Sequence, residues 1–448
     1  MSEMGSAPLP DARLNPRLIS MLMQVARRPG DSILHGARTP AEAEGFYRFL
    51  ENKRVEPDQL WQPMHQTTAK AMRGLRRVVV VQDSTALMFP RLKSTTGLGT
   101  ADQEREEALW MHSALALHPK GHPLGLLYNH VWARPIEEFR KGHERKRRPF
   151  EEKESFEWVR GMRQVAALAE WAGAKTRILH VFDRAGDVHE VLQEVVTQEQ
   201  DAVIRCCQRH RRVSDDSYAT VQGAVAAQKP RLTRTVSVPR KPGRRARQAA
   251  VEVRSTTVTL SPAPIYPHRQ PLTIHVVWVH EPAPPSGVEP LDWLLLTTLP
   301  VDTAKRCWKV VEAYQLRWRI EELHLTFKSG CKTEQTQLKT AGRIEVLLAL
   351  HCSVAVRILQ LTHLARTTPT ALCTEVLSED EWQVLCAYVH RRPVARAHGP
   401  PTIHEAVLML GRLGGHLGRK SDGMPGVRSL WRGWRDLQLL VDGYRLVR

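Results

Sequence analysis

The sequence predicts an α/β protein in which a mixed-sheet core is interrupted by a β-rich insertion and flanked by helical regions at both ends. Three observations carry that expectation. The stretch "RRVVVVQDST" (76–85) holds a continuous β-branched run, the character of a strand buried on both faces. Strand-like and helix-like stretches then follow one another to about residue 208, as layered α/β packing requires. From about 209 to 300 the chain becomes β-rich and punctuated by proline, and helical periodicity returns only afterwards.

The first block, 1–71, reads as helical. "RLISMLMQVARRPG" has apolar residues at helical spacing and stops at Pro29-Gly30. "TPAEAEGFYRFLENK" opens on a capping Thr39 with Pro40 in the first turn. Arg and Lys punctuate the block, which makes it a candidate DNA-reading module; a solvated helical hairpin is the alternative. Over 72–208, the valine strand is followed by two more strand candidates, "WMHSALALHP" and "HPLGLLYNHVWARP". The charge-dense "EEFRKGHERKRRPFEEKES" reads as a surface loop, and "SFEWVRGMRQVAALAEWAG" as an amphipathic helix ending at Gly173. "TRILHVFDRAGD" and "DAVIRCCQ" supply a fourth and a fifth strand with a further helix between them. Three strands, a helix, a strand, a helix and a strand fit an RNase H-like core.

The insertion, 209–300, includes a basic hairpin between Lys229 and Arg247 that carries no carboxylate. Over 301–365 the core resumes with one helix, roughly Val301 to Lys328, and then the buried-type helix "VLLALHCSVAVRILQL". The last region, 366–448, is helical and bears Trp382, Trp431 and Trp434.

Composition narrows the function classes. A chain of 448 residues can hold two or three domains and bury a substantial core. Its 65 Lys+Arg against 47 Asp+Glu give a net charge of +18, a field that attracts polyanions, nucleic acid first among them. No uninterrupted apolar run of about 18 residues and no signal-like start is evident, so no membrane partner is expected. Seven scattered cysteines without a C-x-x-C argue against a disulfide framework or structural zinc and suit reduced thiols in a cytoplasmic protein.

Two aspartates end strongly apolar strands: Asp83 in "VVVVQDST" and Asp183 in "ILHVFDR". Ligand groups collect at the carboxyl ends of strands in α/β sheets, although an Asp there is also a common turn or cap residue. The stretch "YQLRWRIEELHLTFKSG" (314–330) adds Glu321 on a later helix. Three converging carboxylates repel one another and call for a divalent cation; with oxygen donors and no Cys/His cluster, Mg²⁺ or Mn²⁺ fits better than zinc. At about 100° per residue, Leu316, Ile320, Leu323 and Phe327 form an apolar stripe, and Tyr314, Arg317, Glu321 and Lys328 share another arc. Arg317 and Lys328 suit phosphates and Tyr314 suits a phosphate or a base; the alternative is an exposed face with an ordinary i, i+4 ion pair.

Tyr314-x2-Arg317-x3-Glu321-x6-Lys328, "QDST" at 82–85 and "DRAGD" at 183–187 resemble the signatures of DDE transposases of the insertion-sequence-four family, the transposon-five type above all. "EGFYRFLEN", "EEKESFEW", "LDWLLLT", "SVAVRILQL" and "RLGGHLGRKSDGMPGVRSLWRGW" extend the resemblance over nearly the whole chain. It implies an RNase H-like core with Asp83, Asp183 and Glu321 as catalytic and metal ligands around two Mg²⁺, with Mn²⁺ as a substitute. It also implies a DNA-end recognition domain at 1–71, a dimerisation region at 366–448, and partners in double-stranded transposon-end and target DNA within a homodimer. The implied activity is cut-and-paste transposition in the bacterial cytoplasm, at the nucleoid: hydrolysis at the element end, a hairpin intermediate, and joining of the 3′-OH to target. Trp293 occupies the place of the tryptophan that holds a flipped base, with Tyr314 and Arg205 beside it; read alone, Trp293 better suits a cover for the sheet.

Two departures from the family pattern carry expectations. Leu325 stands where close relatives have a lysine, so one phosphate contact is expected to be lost. The N-terminal block begins later than in those relatives, as though a first helix were missing, which favours a second reading: an inhibitory DNA-binding, dimerising regulator of transposition. A structure-specific nuclease that cuts without joining is a third.

Overall fold

The computed structural model describes residues 2–447 except 38, 93, 102–106, 140–143, 145–146, 215–216, 239–244, 263–268, 394–398 and 420–421. Helices α1 (Leu14–Arg27), α2 (Ile33–Gly36), α3 (Pro40–Glu51) and α4 (Pro57–Ala71) come first. Thr39 caps α3 by accepting the Glu42 amide. Strands β1 (Arg77–Met88), β2 (Gly99–Thr100), β3 (Glu107–Leu117) and β4 (Pro123–Trp132) follow. Then come helix α5 (Glu157–Trp171), strand β5 (Arg177–Phe182), helix α6 (His189–Thr197) and strand β6 (Asp201–Arg205).

The next segment contributes α7 (Val221–Ala226), β7 (Leu232–Val238), β8 (Arg247–Leu260), β9 (Leu272–His280) and β10 (Asp292–Thr297). The chain finishes with α8 (Ala304–Gln315), α9 (Trp318–Leu325), α10 (Ala341–Thr367), α11 (Glu379–His390), α12 (Ile403–Leu413) and α13 (Val427–Val447). The protein is thus a mixed α/β fold with helical ends and a central mixed sheet. Part of the basic hairpin (239–244) and part of the charge-dense loop (140–143, 145–146) lie outside the described residues.

All these strands join one sheet in the order β2-β3-β1-β5-β6-β10-β9-β8-β7, with β4 also paired to β3. The β1–β5 and β5–β6 pairs are parallel and the others antiparallel. The β-rich segment continues the core sheet directly, because β10 pairs with β6 through Leu295↔Arg205 and Leu296↔Ile204.

Alternation along β1 sets the layers. Val78 and Val80 pack toward α5, in a cluster with Val165 and Leu168. Val79 and Val81 point the other way, into the main core shared with α8, α9 and α10. On β5, Phe182 joins the cluster with Trp158 and Met162 of α5, whereas Leu179 and Val181 join the main core. With a side-chain period of two, the next odd residue on each strand, Asp83 and Asp183, faces the α9 side.

The expectation of one helix from Val301 to Lys328 is corrected. Around Leu316 and Arg317 the amides of Leu316, Arg317, Arg319 and Ile320 each donate to the carbonyl three residues back, a tight turn that separates α8 from α9. Thr326–Gly330 then form a π-helical turn. Packing on the sheet overrides the even 100° staircase, so Ile320, Leu323 and Phe327 are fully buried while Leu316 is only partly so.

The central helix α10 is long and apolar enough to cross a membrane by length and composition alone, although its sequence is not an uninterrupted apolar run; most of that stretch is buried inside the fold. The C-terminal helices α12 and α13 touch backbone to backbone. A Cβ on Gly433 would stand 1.8 Å from the Leu410 carbonyl oxygen. Gly433→Ala is therefore expected to destabilise the protein by about 1–3 kcal/mol, read as a lower denaturation midpoint.

Candidate active site

The parallel pairing of β1 with β5 runs to Gln82↔Phe182, which brings Asp83 and Asp183 side by side just beyond the register. Asp183 follows β5 in extended backbone and starts a short turn, its carboxylate accepting the Ala185 amide at 2.9 Å. Helix α9 lies on this face through Ile320 and Leu323 and delivers Glu321. Burial, then the charge of Asp183 and to a lesser degree that of Glu321, raise the Asp83 carboxyl to about 7, against the pull of Arg317 and the Ser84 amide. The three predicted acids therefore share one electrostatic site.

Arg317 bridges two of them. Its guanidinium donates to Glu321 Oε1 at 2.6 Å and stands 3.7 Å from Asp83 Oδ2. The other Glu321 oxygen, Oε2, is buried without a hydrogen-bond partner. Among the described residues, no group of three or more His, Cys, Asp or Glu side chains stands at metal-holding spacing. The donor set nonetheless suits a hard divalent cation: three carboxylates, one with an unpartnered buried oxygen and one whose pKa is raised to about 7 by burial first and by its neighbours' charge second.

The other predicted residues divide into two groups. Tyr314, Trp293 and Arg205 come together: the Trp293 and Tyr314 rings meet edge to face at 5.4 Å, and the Arg205 guanidinium lies 6.0 Å from the Tyr314 ring centre. Trp293 is half-buried, Tyr314 is buried, and Arg205 donates to the Asp292 carbonyl. Burial raises the Tyr314 hydroxyl pKa and lowers that of Arg205. Lys328, carried by the π turn, is instead tied to β1: its ammonium donates to the Ala86 carbonyl and pairs with Glu334 at 3.7 Å. Burial lowers its pKa below the ordinary lysine value. Leu325 is exposed.

Residues that sequence reasoning passed over hold these groups in place. Gln82 and Ser84 flank Asp83 and point to the opposite face, where both reach His112: His112 Nε2 lies 3.0 Å from Gln82 Oε1, and His112 Nδ1 lies 2.8 Å from Ser84 Oγ. Burial holds His112 neutral, its pKa depressed to about 3. Glu322, beside the predicted acid, turns outward to His363 Nε2 at 2.6 Å and to Arg319 at 3.3 Å, stitching α9 to α10. Alternation gave a signal for Gln82 and Ser84; nothing local marked His112 or His363 as their partners.

Comparison with known families bears on the two ends. Residues 1–55 match the family described as transposase DNA-binding. Residues 353–448 match the family described as the transposase Tn5 dimerisation domain. The first match covers α1, α2 and α3; the second runs from within α10 to the end of α13. These two ends frame the carboxylate site of the central sheet, and both are similar to the corresponding domains of Tn5-type transposases.

Proposed function

We propose that the protein is a DDE-type, cut-and-paste DNA transposase acting as a homodimer on double-stranded DNA. The convergence of Asp83, Asp183 and Glu321 on one face of the sheet, between the two matched domains, is the observation that carries this reading. The chain order of the core supports an RNase H-like architecture: strands β1, β3 and β4 with the two-residue β2 between them, then helix α5, strand β5, helix α6 and strand β6. The 1–55 region would read the element's terminal repeats, and the C-terminal helices would join two protomers. A basic protein of this kind works where DNA lies, in the cytoplasm at the nucleoid.

Asp83, Asp183 and Glu321 would hold Mg²⁺, with Mn²⁺ as a substitute, which when bound supplies charge neutralisation and a more acidic water. The chain's own groups do the rest. The three acids sit at the mouth of the sheet where a phosphodiester is to be placed. Arg317, released from its carboxylates, presents a bidentate fork to a flanking phosphate. The reaction is in-line hydrolysis at the element end, attack of the freed 3′-OH on the other strand to close a hairpin, reopening, and attack on target DNA. Trp293, with Tyr314 against its edge and Arg205 beyond, offers a stacking face for a base extruded at the hairpin step.

Purified protein, a DNA carrying the element's ends, Mg²⁺ and a target plasmid test the reading. Nicks at the 3′ ends, hairpins and joined products are expected. Failure to shift end DNA, with no cleavage, would leave the inhibitory regulator standing, and cleavage without joining would leave a nuclease.

A further inference from the structure

Asp187 closes the "DRAGD" stretch, four residues after Asp183, and nothing in the chemistry above uses it. Its side chain has no solvent exposure and that of Arg211 has only 8%. Oδ2 accepts the amides of Cys207 and Gln208 at 2.8 and 3.0 Å, and Oδ1 accepts Arg211 Nη2 at 2.6 Å. The Asp187 carbonyl accepts Gln208 Nε2 and Arg211 Nη2 as well. A fully buried carboxylate with this many donors fixes two pieces of backbone against each other.

Those two pieces belong to different halves of the site. On one side is the turn that begins at Asp183, where Gly186 donates to the Asp183 carbonyl and Asp187 to that of Arg184. On the other is the segment leaving β6. Within it Arg209 pairs with Asp292 at 2.6 Å, and Arg205, the last residue of β6, donates to the Asp292 carbonyl. Trp278 Nε1 donates to the same Asp292 carboxylate at 2.7 Å, and Asp292 precedes Trp293. A chain of contacts therefore runs from the second acid, through Asp187 and the 207–211 segment, to the tryptophan face.

We infer that Asp187 is a positioning residue that sets the Arg205–Trp293–Tyr314 face at a fixed place relative to the acidic site, an assignment that rests on the transposase reading above. Asp183 keeps its own tie to Ala185 whether or not Asp187 is charged, so the acidic site does not depend on this link. The base-holding face does, because Arg209 lies on the segment that Asp187 secures and ties it to Asp292, the neighbour of Trp293. Loss of the link therefore falls on the hairpin step and spares the first nick.

Two variants test this in the full-length protein: Asp187→Asn, which keeps the shape, and Arg211→Lys, which keeps the charge and removes the fork. First-strand nicking, hairpin formation, end binding and the fluorescence of 2-aminopurine at the extruded position are measured together. Unchanged binding and nicking are expected, with hairpin formation about tenfold slower, the scale of losing a supporting partner, and a weaker 2-aminopurine signal. Equal losses in nicking and hairpin formation, or none in either, would overturn the assignment. If Asp187→Asn does not fold, the same comparison on Arg211→Lys decides. A parent protein that neither nicks nor forms hairpins refutes the transposase reading itself, a result distinct from a parent that does both and variants that do not separate the steps.

Discussion

Asp83→Asn, Asp183→Asn and Glu321→Gln proteins are expected to bind end DNA as the parent does and to cleave it at least about 10³-fold more slowly, the loss of several kcal/mol of charge stabilisation at the reacting phosphate. Each change is nearly isosteric and removes one negative donor from the shared site. End binding is assigned to the 1–55 region, which does not include these positions, so a gel-shift assay and a cleavage assay report separate parts of the molecule. Persistent cleavage by any one variant would break the assignment of that residue. Glu321→Gln also leaves Arg317 without its closest carboxylate, 2.6 Å away in the parent.

The metal-free protein is expected to lose stability as pH rises from about 4 to about 7, and Asp83→Asn is expected to remove that loss. Asp83 titrates near 3.8 as a free side chain and about 7 in the folded protein. Between those values the folded state holds a proton that the unfolded chain has released, so each step up in pH favours unfolding. Three units correspond to about 4 kcal/mol, an upper bound because the site has a solvent-facing mouth. Melting curves in chelator across this range, parent against Asp83→Asn, report the effect of Asp83 and the charges coupled to it. Parallel curves would refute it. The same proton must leave when a divalent cation enters, so apparent Mg²⁺ affinity should climb as pH passes through neutrality.

Much of the site could be read before any coordinates because strands advertise themselves twice. The valine run announced a strand buried on both faces, and parity along it carried Asp83 to the side on which α9 lies. Asp183 follows the same rule on β5. Glu321 and Arg317 were legible from spacing over one turn, whereas Tyr314 stands on α8, across the tight turn that precedes α9. Lys328 was not: the tight turn before α9 and the π turn after it break the staircase, and the ammonium ends on the Ala86 carbonyl. His112, His363 and Arg211 were invisible for a different reason. Each partners a residue at least 24 positions away in sequence, and a single sequence records no such pairing. The β-rich segment was legible as strands, but its attachment to β6 is a matter of edge hydrogen bonding that periodicity cannot express.

That attachment limits how this protein could be re-engineered. Because β10 is hydrogen-bonded to β6, the segment between them is not a cartridge that can be lifted out and exchanged. A one-residue slip at the Leu295↔Arg205 pairing would turn Trp293 to the opposite face of the sheet. Grafts and length changes belong at the hairpin tips, far from this seam, where the strands can absorb them without moving a single register.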